Sequence, residues 1–371
     1  MKKILPALMI LLFAFACERQ ELMDSTPRDQ QPEPDHVYIF GRKGTGTGAP
    51  YTLYCWKDFV QVPVEQAPAG KVAYPNKALS DGGNVYLIGF TAPDPGYSSR
   101  IACYWKNGTR KDLTAAPDSY VHGGCVSNGV LYIYGREASV DCLWVNDTKY
   151  TLSFTPGYYQ SIDVAVTSNS IYLVGTKSYP NQMLGYWKIS LPLGDSATPL
   201  NGTYTDLNGT DTGSGAYNAY VINDEVVIAG YRNYGGYYYP TIWRNGTPTA
   251  AGNSSSSIVT AMYVFGDAET PSCLLTQGVT AGASVSETVL ARGGTVLAVP
   301  FPSGYVINPS WTGDAETPDG FVITGHSQQT YGTPFTARYW DNDTASSTVL
   351  SDAGDTVNAY YAEAVTVGKG W

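Results

Sequence analysis

The chain has 371 residues and a formal net charge of −10, from 22 basic and 32 acidic side chains. That length holds one large domain or two ordinary ones, and the acidic balance argues against electrostatic capture of nucleic acid or anionic lipid. Charged residues make up only 15% of the chain against 40 glycines, 23 prolines and 30 tyrosines, which favours strands and tight turns over helices.

The N-terminus opens with the basic stretch "MKK" and continues as "ILPALMILLFAFA", apolar but too short to span a membrane comfortably. Ala14-Phe15-Ala16 has the small-x-small pattern of a cleavage site. Residues 1–16 are therefore predicted to be a signal peptide, with Cys17 the first mature residue. The segment resembles a bacterial lipoprotein signal, and that resemblance implies a lipid on Cys17 and attachment at the outer membrane or cell surface. Plain secretion with an incidental cysteine is the other reading. Residues 17–35 are polar and carry three prolines, the composition of a flexible tether. The membrane is expected to be reached only through the lipid.

From His36 onward one pattern recurs. The runs "HVYIFG", "NVYLIG", "VLYIYG", "SIYLVG", "EVVIAG", "CLLTQG" and "GFVITG" close on Gly41, Gly89, Gly135, Gly175, Gly230, Gly278 and Gly325. Their spacing, 40 to 55 residues, is that of a propeller blade. After each glycine, six of the units carry a run ending in Trp56, Trp105, Trp144, Trp187, Trp243 or Trp340. Tight-turn pairs follow, among them Asn107-Gly108, Asn146-Asp147 and Asn245-Gly246, which signal two-residue hairpins. A further short strand precedes each glycine run, as in "KALS", "GCVS" and "AYVIN". Four strands per unit predict an all-β, seven-bladed propeller of antiparallel blades over residues 36–371. The last run, "NAYYAEAVTVGKGW", repeats a first strand and stops, whereas "DHVYIFG" starts at a second strand. The C-terminal strand is therefore predicted to complete the first blade and close the ring.

The six letters GDAETP occur twice, at Gly266 and Gly313. Both copies are read as the turn between the first and second strands of their units. A calcium loop built on Asp267 and Glu269, or on Asp314 and Glu316, is the rival reading, but two carboxylates on a short turn are too few ligands. The consensus of the units, closest in "YVINDEVVIAGYRNYGGYYYPTIWRNGTP", resembles the HAF-type extracellular repeat, and with the leader it resembles propeller lipoproteins of Bacteroidetes. Those families imply the fold and the location, and no activity.

The search for chemistry yields no catalytic constellation. His36, His122 and His326 stand in no recognised motif, and no P-loop, zincin or nucleophile-elbow pattern occurs. "GRKGTGTG" at Gly41 is glycine-rich but opens no helix and is read as a flexible loop. Cys55, Cys103, Cys125, Cys142 and Cys273 show no metal spacing and are read as buried thiols. Neither a metal nor a cofactor is expected. Asp94 and Arg100 share a loop that is read as solvated.

Tyrosine placement carries the functional expectation. Tyr74, Tyr120, Tyr159, Tyr217, Tyr305 and Tyr360 fall near the starts of the innermost strands, on the face that also carries the loops between second and third strands. Tyr234, Tyr237, Tyr238 and Tyr239 crowd one such loop. Aromatic rings with hydroxyls suit a glycan or a protein partner. Packing between neighbouring blades is the competing reading. The resulting expectation is a non-catalytic binding protein at the cell surface. A polysaccharide hydrolase or lyase and a structural subunit are its rivals.

Overall fold

In a computed structural model, residues 36–44, 51–81, 83–93, 98–155, 163–177, 183–207, 213–234 and 237–251 are described, followed by the strands alone from Ile258–Phe265 to Ala359–Gly368. Strands are the only regular elements among them, and they fall into seven antiparallel sheets. The first sheet runs Ala359–Gly368, His36–Gly44, Thr52–Lys57, Val60–Val62. The second is Lys71–Ser80, Val85–Pro93, Ile101–Lys106, Thr109–Asp112; the third is Tyr120–Ser127, Val130–Glu137, Val140–Val145, Thr148–Thr151. The fourth is Asp163–Val166, Ser170–Lys177, Met183–Ser190, Thr203–Asp206, and the fifth is Gly215–Ile222, Glu225–Tyr234, Tyr237–Arg244, Thr247–Ala250. The sixth sheet starts at Ile258–Phe265 and ends at Thr295–Val299, and the seventh is built on Gly320–Gln328. Each inner strand lies against that of the next sheet from the first through the sixth, and Gly313–Thr317 of the seventh lies against Ala359–Gly368.

The near-continuous apolar runs follow from this stacking, because the middle of a sheet is covered on both faces. In "VYLIG" Leu87 points into a core shared with the first sheet, beside Tyr38, Phe40 and Cys55. Its neighbours Tyr86 and Ile88 point into a core shared with the third, beside Ile133 and Trp144. Four of these tryptophans plug the gap to the preceding sheet, Trp105 against the first, Trp144 against the second, Trp187 against the third and Trp243 against the fourth. Cys55, Cys103 and Cys142 are buried free thiols, and burial pushes all three upward from their ordinary titration range.

The turns carry the chemistry expected of them. Asn107-Gly108, Asn146-Asp147 and Asn245-Gly246 all have positive φ at both positions, the geometry of a two-residue hairpin. The Asn107 and Asn146 side chains also accept hydrogen bonds from Val85 N and Leu131 N, tying third strand to second. Asp58-Phe59 and Ala138-Ser139 adopt the same geometry without any Asn-Gly signal.

The closing glycines answer a recurrent β-bulge. The innermost strand skips one residue of register at Glu363 beside Gly41, Asn76 beside Gly89, His122 beside Gly135 and Tyr217 beside Gly230. The kink brings a carbonyl oxygen onto the glycine. A Cβ at Gly89, Gly135 or Gly230 would lie 2.3, 2.2 or 2.1 Å from the oxygen of Tyr74, Tyr120 or Gly215.

Two expectations change. The second GDAETP copy is not a turn: Gly313–Thr317 is itself a strand paired with Gly320–Gln328. Val306–Ile307 and Gly313–Thr317 pair separately with the same partner strand, Gly320–Gln328. The first copy lies outside the described residues. "GRKG" is not loop either, because Gly41–Gly44 ends the strand His36–Gly44. The segments 1–16 and 17–35 also lie outside the described residues.

Candidate functional site

Register shows which residues share the end of the sheets beyond the closing glycines. Tyr74 faces Phe90, Tyr120 faces Arg136 and Tyr361 faces Arg42, each the residue just past its glycine. Tyr360 is one position earlier, opposite Lys43, and Tyr217 occupies the bulge. The residue equivalent to Tyr74 in the fifth sheet is Gly215, and the aromatic ring stands across from it as Tyr231. Spacing alone misaligned Tyr360 by one residue and Tyr217 by two, because a bulge cannot be counted in a sequence. Tyr159 and Tyr305 lie outside the described residues.

Tyr74 and Tyr120 belong to a continuous stack. The Arg42 guanidinium lies 4.9 Å from the ring centres of both Tyr51 and Tyr74. Tyr74 stacks on Phe90 at 5.0 Å. Arg100 lies 6.0 Å from Phe90 and 4.3 Å from Tyr120. Tyr120 meets the edge of His122, which stacks on Tyr134 at 5.3 Å. Alternating arginine and aromatic rings thus fasten the first three sheets together at this end. Each close cation–π contact contributes about 0.5–2 kcal/mol. These tyrosines are packing residues between neighbouring sheets.

The hairpin of the fifth sheet differs. Tyr234 pairs with Tyr237, and Arg232 pairs with Tyr239, so strand alternation puts all four on one face. Tyr234, Tyr237 and Tyr239 are 68%, 56% and 37% exposed. Tyr238 is on the other face, where it meets Tyr231 at 5.0 Å and, through it, Tyr217 at 5.6 Å. The crowded tyrosine loop therefore divides into three exposed rings and one that packs.

The third sheet brings several titratable residues together. The Tyr134 hydroxyl donates to Asp141 Oδ1 at 2.6 Å, and Arg136 Nε lies 3.5 Å from the same oxygen. Burial pushes the Asp141 carboxyl up, against the pull of Tyr134 and Arg136. His122 is held down at about 4, first by burial and then by the positive charges of Arg136 and Arg100. A neutral imidazole between two arginines neither takes up a proton nor gives one at neutral pH. Sequence reasoning passed over Arg42 and Arg136, for which the Gly-Arg pairs at Gly41 and Gly135 were the available signal, and placed His122 in no functional motif.

No group of metal-ligating side chains occurs among the described residues. Asp94, Asp267 and Glu269 lie outside them, and Asp314 and Glu316 are known only as strand positions.

No family model and no curated protein matches the chain. Among solved structures, a candidate 6-phosphogluconolactonase of Bacteroides uniformis is 11% identical over 86% of this chain and 95% of its own, with a TM-score of 0.46. A puromycin-hydrolysing peptidase of Mycobacterium tuberculosis is 9% identical over 85% of this chain and 52% of its own, at 0.49. The β-propeller domain of the Trilobed protease of Pyrococcus furiosus is 10% identical over 76% of this chain and 99% of its own, at 0.42. At such identities no activity carries over to this chain.

Proposed function

We propose that the seven sheets are the blades of one closed β-propeller, and that the protein is a non-catalytic binding module held at the cell surface by a lipid on Cys17. Its ligand is a glycan or a surface protein, engaged through the exposed face of the fifth-sheet hairpin. The carrying observation is the placement of Tyr234, Tyr237 and Tyr239 on one pleat face, all solvent-exposed. Three exposed rings on one pleat face form an aromatic surface of the kind that stacks on sugars or anchors a protein contact.

The test is a glycan array and a surface-protein capture, each run with the purified full chain and with a Tyr234→Ala/Tyr237→Ala/Tyr239→Ala variant. A ligand retained by the first and lost by the second supports this reading. Equal retention by both refutes it.

A further inference from the structure

Two arginines gather where the second and third sheets meet. Arg100 and Arg136 both act on His122, and the one carboxylate in the group, Asp141, is already engaged by Tyr134 and Arg136. No carboxylate among the described residues pairs with Arg100, whose buried Nε has no hydrogen-bond partner. Its flat face is covered by Tyr120 at 4.3 Å. A guanidinium covered on its face presents its N–H edge, the edge that fits a carboxylate. On the third-sheet side the connection is short. Strands two and three of the third sheet join through only Ala138-Ser139, directly after Glu137, while the fifth-sheet hairpin runs on to Tyr234.

We infer that Arg100, with Tyr120 and His122 beside it, holds the carboxylate of a sugar acid, so that the ligand of this end of the protein is an acidic glycan. The inference rests on the reading of this end as the binding end and adds the ligand's class. One net positive charge suits one carboxylate. A sugar acid brings that carboxylate on a ring with an apolar face, which the exposed tyrosines accommodate elsewhere along a polymer.

The experiment uses the full chain with oligogalacturonate and with its methyl ester, which has the same length and rings but no charge. Calorimetry should show the acid binding at least about tenfold more tightly than the ester, and Arg100→Gln should abolish that preference. In the unaltered protein, oligogalacturonate should raise the His122 titration point seen by NMR, because a bound anion offsets the two arginines. This second readout decides the matter if Arg100→Gln fails to fold. Equal affinity for acid and ester, absence of acid binding, or an unmoved His122 would overturn the inference. Tighter binding of polyglutamate than of the sugar acid would also overturn it, in favour of an acidic protein segment. Ester binding that depends on the three tyrosines without any acid preference would uphold the hairpin reading alone.

Discussion

Lys77 Nζ lies 2.8 and 2.7 Å from the two carboxylate oxygens of Asp163, 86 residues away and two sheets further along. The inner strand of the third sheet stands between their strands. Asp163 Oδ2 also accepts the Ala219 N–H at 2.9 Å, so one carboxylate joins the second, fourth and fifth sheets. Asp163 is 6% exposed at its side chain and Lys77 26%. Lys77→Met strands a buried carboxylate and should cost about 3–5 kcal/mol. The double change Lys77→Met/Asp163→Asn should recover most of that loss. Urea unfolding of the single and double variants measures the coupling, and strictly additive losses would contradict it.

The closing glycines make a sharper contrast. Gly230→Ala would drive a methyl to 2.1 Å from the Gly215 oxygen and 2.8 Å from Ala216 Cα, both backbone atoms with little room to move. A cost of about 3 kcal/mol is expected. Gly194 has open space around its Cβ position, and Gly194→Ala should change stability by less than about 0.5 kcal/mol. Thermal melting of the two variants should separate them clearly.

The hairpin tyrosines should divide by face. Tyr234→Ala and Tyr237→Ala remove exposed rings and should leave the melting temperature unchanged. Tyr238→Ala removes the ring packed on Tyr231 and should cost about 1–2 kcal/mol. Ligand affinity should follow the opposite order.

The C-terminal strand supplies the inner edge of the first sheet. It pairs with His36–Gly44 from His36↔Gly368 to Gly44↔Ala359. Removing residues 359–371 exposes the backbone of His36–Gly44 and the inner strand of the second sheet. The truncated chain should lose several kcal/mol or aggregate. A truncation that melts with the full chain would contradict the pairing.

His122 fixes the sign of one pH effect. Its folded value of about 4 lies below the ordinary 6.5. Between those values the unfolded chain takes up a proton that the folded chain refuses, so stability falls as pH drops through this window. The full effect is up to about 3 kcal/mol, complete near pH 4, below which both states are protonated. His122→Gln should flatten the stability curve between pH 6.5 and 4, as read by denaturant midpoints across that range.

Local patterns determined much of this architecture. The strand runs, the tryptophans and the Asn-Gly turns are legible in the sequence because each depends on neighbours within a few residues. The closing glycines were visible too, and so was the unpaired start at "DHVYIFG". What they could not show is register, since a bulge at Asn76, His122 or Tyr217 leaves no mark in residue spacing. One residue of slip turns a side chain to the opposite face. That is why Tyr217 and Tyr238 pack while Tyr234, Tyr237 and Tyr239 stand in solvent, and why Tyr361 rather than Tyr360 matches Tyr74. Nor do the letters at Gly313 announce that Gly313–Thr317 pairs as a strand with Gly320–Gln328. The arginine stack from Arg42 to Arg100 was likewise decided only by tertiary structure, because its Arg42–Tyr74 and Arg100–Tyr120 links cross from one sheet to the next and no local pattern encodes which sheets become neighbours.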